Sequence, residues 1–446
     1  MSRSRTRRQR HPLRSEPVPA RIEFLAHDGR GVARVDGKTV FVDGALPGEE
    51  VLLRYVKRRR DYDEAQVEEL REASALRVEP GCPHYGVCGG CSLQHLAPES
   101  QIQHKQEILL QSLERLGGVR PDAVLAPLTG PHWGYRRKAR LGVKHVIKKG
   151  RMLVGFRERR SSFVAELAAC PVLHPAVGGR IEALAELIAG LRARDRIPQI
   201  EVAVGDAAAA LVFRTLDELG PEDRERLIAF GRETGPHVHL QPGGIDSAAP
   251  LWPEAAPLEY ALERHEVRIR FRPTDFTQVN AEINARMVDR ALELLELSPG
   301  DRVLDLFCGL GNFTLPMARV ASEVVGVEGD TGLVARARDN ARRNGLANVE
   351  LIAADLGRPM DAVPGFDRPY DKVLLDPPRS GAEPVIAPLT RLGARRIVYV
   401  ACRPGSLARD AGELVHSHGY RLARVGVMDM FPHTAHVESI ALFVRE

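Results

Sequence analysis

Two residues with chemical potential stand at the ends of strand-like runs in the stretch 371–404, DKVLLDPPRSGAEPVIAPLTRLGARRIVYVACRP. Asp376 closes the apolar run Val373-Leu374-Leu375 and opens Asp376-Pro377-Pro378-Arg379. Cys402 follows a second run, Ile397-Val398-Tyr399-Val400. Short apolar runs bounded by turn residues predict buried parallel strands. Ligands of open α/β sheets bind beyond the carboxyl ends of such strands. A carboxylate and a thiol are thus delivered to one sheet edge. A free cysteine is most often a small buried hydrophobe, so the active-site reading of Cys402 needs support from elsewhere in the chain.

Part of that support is a glycine turn. A predicted strand at 303–307 opens into Cys308-Gly309-Leu310-Gly311-Asn312-Phe313, and the next strand ends on Glu328. Glycines let the backbone approach a ligand, and a carboxylate at Glu328 suits the hydroxyls of a ribose. A dinucleotide fingerprint needs a third glycine at 314, where this chain has Thr314. S-adenosylmethionine therefore fits better than NAD. Asp305 is a candidate for the methionine amino group, or else it caps the loop. Cys308 reads as packing.

Four other cysteines lie in the N-terminal half: Cys82, Cys88, Cys91 and Cys170. The C-x-x-C spacing of Cys88 and Cys91, with a third thiol upstream and glycines between, suits a metal or cluster. Four thiolates hold zinc or iron–sulfur equally well. A redox C-x-x-C has no need of the third cysteine. Six cysteines without a secretory signal argue against a disulfide framework.

The elements that must position these residues fall into four segments. Residues 1–14 carry six arginines and no acid, which predicts a flexible basic arm. Residues 15–72 read as a small β-barrel, with turns at Asp28-Gly29, Asp36-Gly37 and Asp43-Gly44. Residues 73–272 read as a β-rich central domain carrying the four-cysteine site. Within it a helix is predicted near 99–117, a hairpin at 200–216 and a linker at 242–257. Alternation after Trp133 puts Arg136, Lys138, Arg140 and Lys144 on one strand face. Only Glu158 is acidic between 133 and 163, so this face is read as tracking phosphates. From 273 the pattern becomes strand–helix alternation, a doubly wound α/β domain. It includes a strong amphipathic helix at 281–297.

Composition agrees with a soluble multidomain protein. The chain has 446 residues, 44% hydrophobic and 27% charged, with a formal net charge of +4. No apolar run reaches the roughly 18 residues of a membrane helix, so the expected location is cytoplasmic, with no membrane and no obligate protein partner.

Asp376-Pro377-Pro378-Arg379, Cys402-Arg403-Pro404, Phe276-Thr277-Gln278 and the stretch His433 to Glu438 resemble the RNA uracil-C5 methyltransferase family over nearly the whole chain. The order of barrel, four cysteines, β-rich region and methyltransferase is similar to members that act on 23S ribosomal RNA, whose barrel is a TRAM domain. The resemblance implies a Rossmann-like S-adenosylmethionine-dependent methyltransferase domain. It implies a [4Fe-4S] cluster on Cys82, Cys88, Cys91 and Cys170. It places Gln278, Phe307, Asn312, Glu328, Asp376 and, at a varied position, Asp355 at the S-adenosylmethionine site, beside Gly309 and Gly311 of the glycine turn. Asp355 stands where relatives often have Asn, and Ala401-Cys402-Arg403-Pro404 where Ser-Cys-Asn-Pro is common. Cys402 would be the nucleophile at carbon 6 of uracil, with Arg379 or Arg403 assisting its ionisation, and Glu438 the base that removes the carbon 5 proton. His433 and His436 read as structural. The competing readings are a non-catalytic RNA-binding assembly protein with a zinc site, 5-methyluridine formation in another RNA, and an exocyclic-amine methyltransferase. The last usually has an aromatic where this chain has Arg379.

Overall fold

The computed structural model describes residues 16–254, 257–358, 363, 365–366 and 368–446. The arginine-rich arm lies outside the described residues. Two compact units make up the chain. One runs through Lys105 and takes in His433–Ala435; the other holds 106–432 and 436–446.

The first unit is built on one sheet of six strands: β1 (Val18–Arg21), β2 (Phe24–Leu25), β3 (Gly31–Val35), β4 (Lys38–Asp43), β5 (Glu50–Arg58) and β6 (Tyr62–Glu72), in the order β1-β5-β6-β4-β3-β2. Ile22, Ala33, Val40, Val42, Val51, Leu53 and Ala65 form its core, each exposed by no more than 1%. The strand β6 has no apolar run to announce it. Its ladder with β5 and β4 makes it a strand, with Asp63 and Ala65 turned inward.

Within the second unit, β7 (Ala123–Val124) comes first. A six-stranded sheet follows from β8 (Lys138–Val146), β9 (Arg151–Gly155), β10 (Gln199–Val204), β11 (Ala209–Arg214), β12 (His237–Gln241) and β13 (Ala249–Trp252), in the order β13-β12-β11-β10-β8-β9. The stretch 242–257, expected to be a linker, contains β13. An edge strand tolerates Pro250 because one side of it needs no donor. A separate pair, β14 (Leu258–Leu262) and β15 (Val267–Phe271), is antiparallel.

The third sheet has eight strands: β18 (Val349–Ala353), β17 (Glu323–Glu328), β16 (Arg302–Leu306), β19 (Lys372–Leu375), β20 (Arg396–Ala401), β22 (Glu438–Val444), β21 (Arg421–Met428) and β7, in that order. β16 to β20 pair in parallel, and β22 runs antiparallel between β20 and β21. Val303, Leu304 and Leu306 are fully buried, as strands covered on both faces must be. The chain runs outward from β16 to β18 and then returns to lay β19 on the other flank of β16. The switch point, where open sheets bind ligands, therefore lies between the carboxyl ends of β16 and β19. The helix Ala281–Leu295 buries Ile283, Met287, Val288, Ala291, Leu294 and Leu295 against this sheet. Asn280 caps it by accepting the Ile283 N–H at 3.3 Å. The core also draws on Ala203, Ala210, Leu258 and Phe271. It therefore crosses position 273, where the sequence suggested a boundary.

Candidate active site at the carboxyl edge of the eight-stranded sheet

The turn after β16 is held open by backbone conformation. Phe307, Gly309 and Gly311 have φ of +66°, +56° and +92°. A left-handed phenylalanine is uncommon and marks a site where surroundings impose the conformation. The Phe307 and Cys308 N–H groups both donate to the Val327 carbonyl, at 2.9 and 3.1 Å. Nothing stands within 4 Å of where a Cβ on Gly309 would be, whereas one on Gly311 would meet Leu315 at 2.9 Å. Gly309 thus borders open space, and Gly311 is glycine for packing and for φ.

Glu328, at the end of β17, accepts from the Gly309 N–H at 3.1 Å and the Asp330 N–H at 3.0 Å. This ties the two strand ends together. Asp305 is fully buried, accepts from the Thr314 hydroxyl, and leaves Oδ1 with no hydrogen-bond partner. Burial, reinforced by Asp376 and Glu328 nearby, pushes its carboxyl up to about 8. Withdrawal from water alone pushes Asp376 up to about 7. An orphaned acceptor among three carboxyl groups is a site for a cation. The ammonium and sulfonium of S-adenosylmethionine fit this donor set.

Asn312 makes a reciprocal amide pair with Asn284 (2.9 and 3.0 Å) and accepts from the Tyr260 hydroxyl at 2.9 Å. Its carboxamide is therefore a fixed part of the turn. Asn284, Tyr260 and Thr314 were not singled out from the sequence. Only Asn284 had a signal there, a polar residue on the buried face of an amphipathic helix. Asp355 is exposed and accepts from the Gly357 N–H and the Arg358 guanidinium, at 3.0 and 3.1 Å. Gln278 is half-buried in the loop before the helix, beside the largely exposed Phe276. Cys308 packs with Val334, Ala337 and Leu351, and burial drives its thiol well up, so it is a core residue.

Cys402 and Glu438 flank the end of one ladder. The ladder of β20 and β22 ends at Ala401 opposite Ser439, with Cys402 the residue after Ala401 and Glu438 the residue before Ser439. Cys402 is half-buried and Glu438 buried. The Cys402 thiol is pushed above its ordinary value, first by burial, then by Glu438 and Asp376, with Arg379 opposing. The nucleophile candidate, both carboxylates and one cation therefore share a single electrostatic neighbourhood. Of the two arginines expected to assist ionisation, Arg379 acts on the thiol; Arg403 instead occupies the N-cap of the helix Pro404–His418. The loop after Asp376 is braced from behind. Asp410, fully buried, accepts from the Ala382 N–H and the Tyr399 hydroxyl, each at 2.7 Å.

The basic strand face has the expected alternation, with Ala139, Leu141 and Val143 inward. Its charge is less available than the sequence suggested. Glu201 on β10 holds Arg140 at 2.8 Å. Lys138 donates to the Pro273 carbonyl, and burial draws it down to about 8. Lys144 and Arg157 are exposed.

Cys82, Cys88 and Cys91 belong to the first unit and Cys170 to the second, all four half-buried. Among the described residues, no group of three or more His, Cys, Asp or Glu is gathered to hold a metal ion. No helix among the described residues is long and apolar enough to cross a membrane.

Comparison with known proteins agrees with this geometry. Residues 257–446 match the family model described as tRNA (Uracil-5-)-methyltransferase, and residues 15–67 match the TRAM domain. The chain is 59% identical to the 23S rRNA (uracil(1939)-C(5))-methyltransferase RlmD of Alkalilimnicola ehrlichii over 98% of this chain and 99% of that one. It is 55% identical to the protein of the same name from Methylococcus capsulatus, with the same coverage. Its fold is similar to that of the Pyrococcus abyssi tRNA (uracil-54, C5)-methyltransferase, solved in complex with S-adenosyl-L-homocysteine. That likeness has a TM-score of 0.72 at 24% identity and covers 96% of this chain and 100% of that one.

Proposed function

The chain belongs to the RNA uracil-C5 methyltransferase family, and from that premise we propose that it methylates carbon 5 of one uridine in 23S ribosomal RNA, the position its relatives' names give as 1939. The observation that carries the mechanism is the shared electrostatic neighbourhood of the Cys402 thiol, Glu438, Asp376 and Arg379 at the end of the β20–β22 ladder.

Carbon 5 of uracil is a poor nucleophile, so the reaction needs covalent activation. The Cys402 thiolate bonds to carbon 6, and the π electrons of the carbon 5–carbon 6 bond move onto the carbonyl oxygen at carbon 4 as an enolate. Bound S-adenosylmethionine would supply the methyl group that carbon 5 takes up and would leave as S-adenosylhomocysteine. Phe307, Gly309, Gly311, Glu328 and Asp305 would hold it, with Gln278, Asn312, Asp355 and Asp376 around them. Glu438 then removes the carbon 5 proton. The electron pair restores the carbon 5–carbon 6 bond as the carbon 6–sulfur bond breaks, and Cys402 leaves as thiolate. The uridine must be flipped out of its stack to reach this edge, and an RNA substrate of this kind accords with a cytoplasmic location.

The two residues separate in one experiment. Cys402→Ala is expected to bind RNA and form no bond to it. Glu438→Gln is expected to add sulfur and transfer the methyl group, then stall as a protein–RNA adduct on a denaturing gel. Turnover of Glu438→Gln at the wild-type rate, with no trapped species, would remove Glu438 from the mechanism. Loss of 5-methyluridine at a single position in ribosomal RNA from cells lacking the protein checks the substrate.

The finer reading of the four cysteines is a [4Fe-4S] cluster on Cys82, Cys88, Cys91 and Cys170, supported by their spacing and by the family resemblance. Anaerobically purified protein is then brown and contains iron and sulfide. Stoichiometric zinc without iron would overturn this.

A further inference from the structure

The segment leading to Glu438 is fastened by residues far from it in sequence. His433–Ala435 folds with the first unit. There, Gln101 is 99% buried and uses its whole carboxamide. Its Nε2 donates to the Leu93 and Leu96 carbonyls at 3.0 and 2.8 Å, and its Oε1 accepts the His433 N–H at 2.9 Å. The N–H groups of Ser92 and Leu93 both donate to the His433 carbonyl, at 2.8 and 2.9 Å. The Ala435 N–H donates to Ser92 Oγ at 3.0 Å. His433 itself sits at φ +65°, a conformation a histidine keeps only when neighbours impose it.

Only His436 and Val437 separate this anchored turn from Glu438, which is the first residue of β22. A link of two residues spans roughly 7 Å at full extension. We infer that Gln101 and Ser92 are positioning residues for the proton-removal step: they fix the turn at His433–Ala435 and thereby the carboxylate of Glu438. The inference rests on Glu438 being the base. It confines the effect to one step, because Cys402 is carried by β20, on a different segment. A base must come within roughly 3 Å of the proton it takes, and a displacement of about 1 Å can cost on the order of a hundredfold.

The test follows one turnover with methyl-labelled cofactor and target RNA, measuring methyl transfer and release of RNA from the adduct separately. Ser92→Ala removes the acceptor of the Ala435 N–H. It is expected to slow release about fivefold, the equivalent of one net hydrogen bond, while methyl transfer stays within about twofold of wild type. Ser92→Thr, which keeps the hydroxyl, is expected to restore release. Gln101→Ala is expected to slow release further; if it fails to fold, the serine pair decides alone. A parallel fall in both rates, or unchanged release in Ser92→Ala, overturns the inference. So does loss of bound metal in step with the slowing, since Ser92 follows Cys91 and the effect would then belong to the cysteines. Glu438→Gln is run beside them. If it traps no adduct, the assignment of the base has failed; if it traps adduct and Ser92→Ala does not, only the positioning role has failed.

Discussion

At the scale of single residues, burial keeps Asp305, Asp376 and the Cys402 thiol from ionising. Burial and two carboxylates raise the Cys402 thiol, and Arg379 and a backbone hydrogen bond oppose them. Because the thiolate is the nucleophile, adduct formation is predicted to accelerate with rising pH, about tenfold per unit while the pH stays below the thiol's pKa. Arg379→Gln is predicted to slow the step at fixed pH, and stopped-flow trapping across pH 6 to 9 checks both. A flat profile would mean that RNA binding ionises the thiol. Asp305 and Asp376 are raised to about 8 and about 7, so the folded chain holds protons that the unfolded chain has released. Their contribution to stability is full below about pH 4 and is lost as pH rises through 7 to 8. Thermal melts of the cofactor-free protein are predicted to fall over that window, and Asp305→Asn to flatten the fall. Titration of S-adenosylhomocysteine into Asp305→Asn is also predicted to show weaker binding, because the orphaned oxygen is replaced.

At the scale of elements, helices and strands contribute rigid polar contacts that the motifs themselves lack. The helix Ala281–Leu295 carries Asn284 to Asn312, and β14 carries Tyr260 to the same amide. Asn284→Ala leaves a polar group of the turn without its partner. It is predicted to cost about 1–3 kcal/mol in thermal or denaturant unfolding and to weaken cofactor binding. Normal stability with normal binding would show that the pair is incidental. On β8 the ladder with β10 delivers Glu201 to Arg140. Lys144→Ala with Arg157→Ala is therefore predicted to reduce the salt slope of RNA binding by about one to two units, and Arg140→Ala to reduce it by less. Equal effects would mean that RNA displaces Glu201.

At the scale of the whole molecule, two compact units share a chain that leaves the first at Lys105 and returns to it at His433. The core of the second unit runs through both the β-rich region and the methyltransferase sheet. Cutting the chain at 273 is accordingly predicted to give fragments that do not fold alone, because Leu258, Ile269 and Phe271 would lose their partners. A C-terminal fragment with a cooperative melt would contradict this. RNA affinity is predicted to fall steeply as salt rises, which filter binding at several ionic strengths measures.

The sequence by itself determined the order of segments, the alternation that makes the eight-stranded sheet, and which residue types reach its carboxyl edge. Those features are local: a run of four apolar residues, a glycine turn, a cysteine after a strand. The sequence also marked Cys308 as packing and the two histidines as structural, and Cys308 and His433 lie buried. The strand β6, with charged residues along its length, and β13, with a proline inside it, were not legible, because pairing partners rather than propensity made them strands. Pairing of β20 with β22 brought Glu438 to the end of the ladder that Cys402 follows, from 36 positions away. Long-range contact also paired Arg140 with Glu201, drew Lys138 onto the Pro273 carbonyl, and gave Asn312 its partners. Each of these depends on which side chains fold against one another, a property of the packed chain that no single stretch contains.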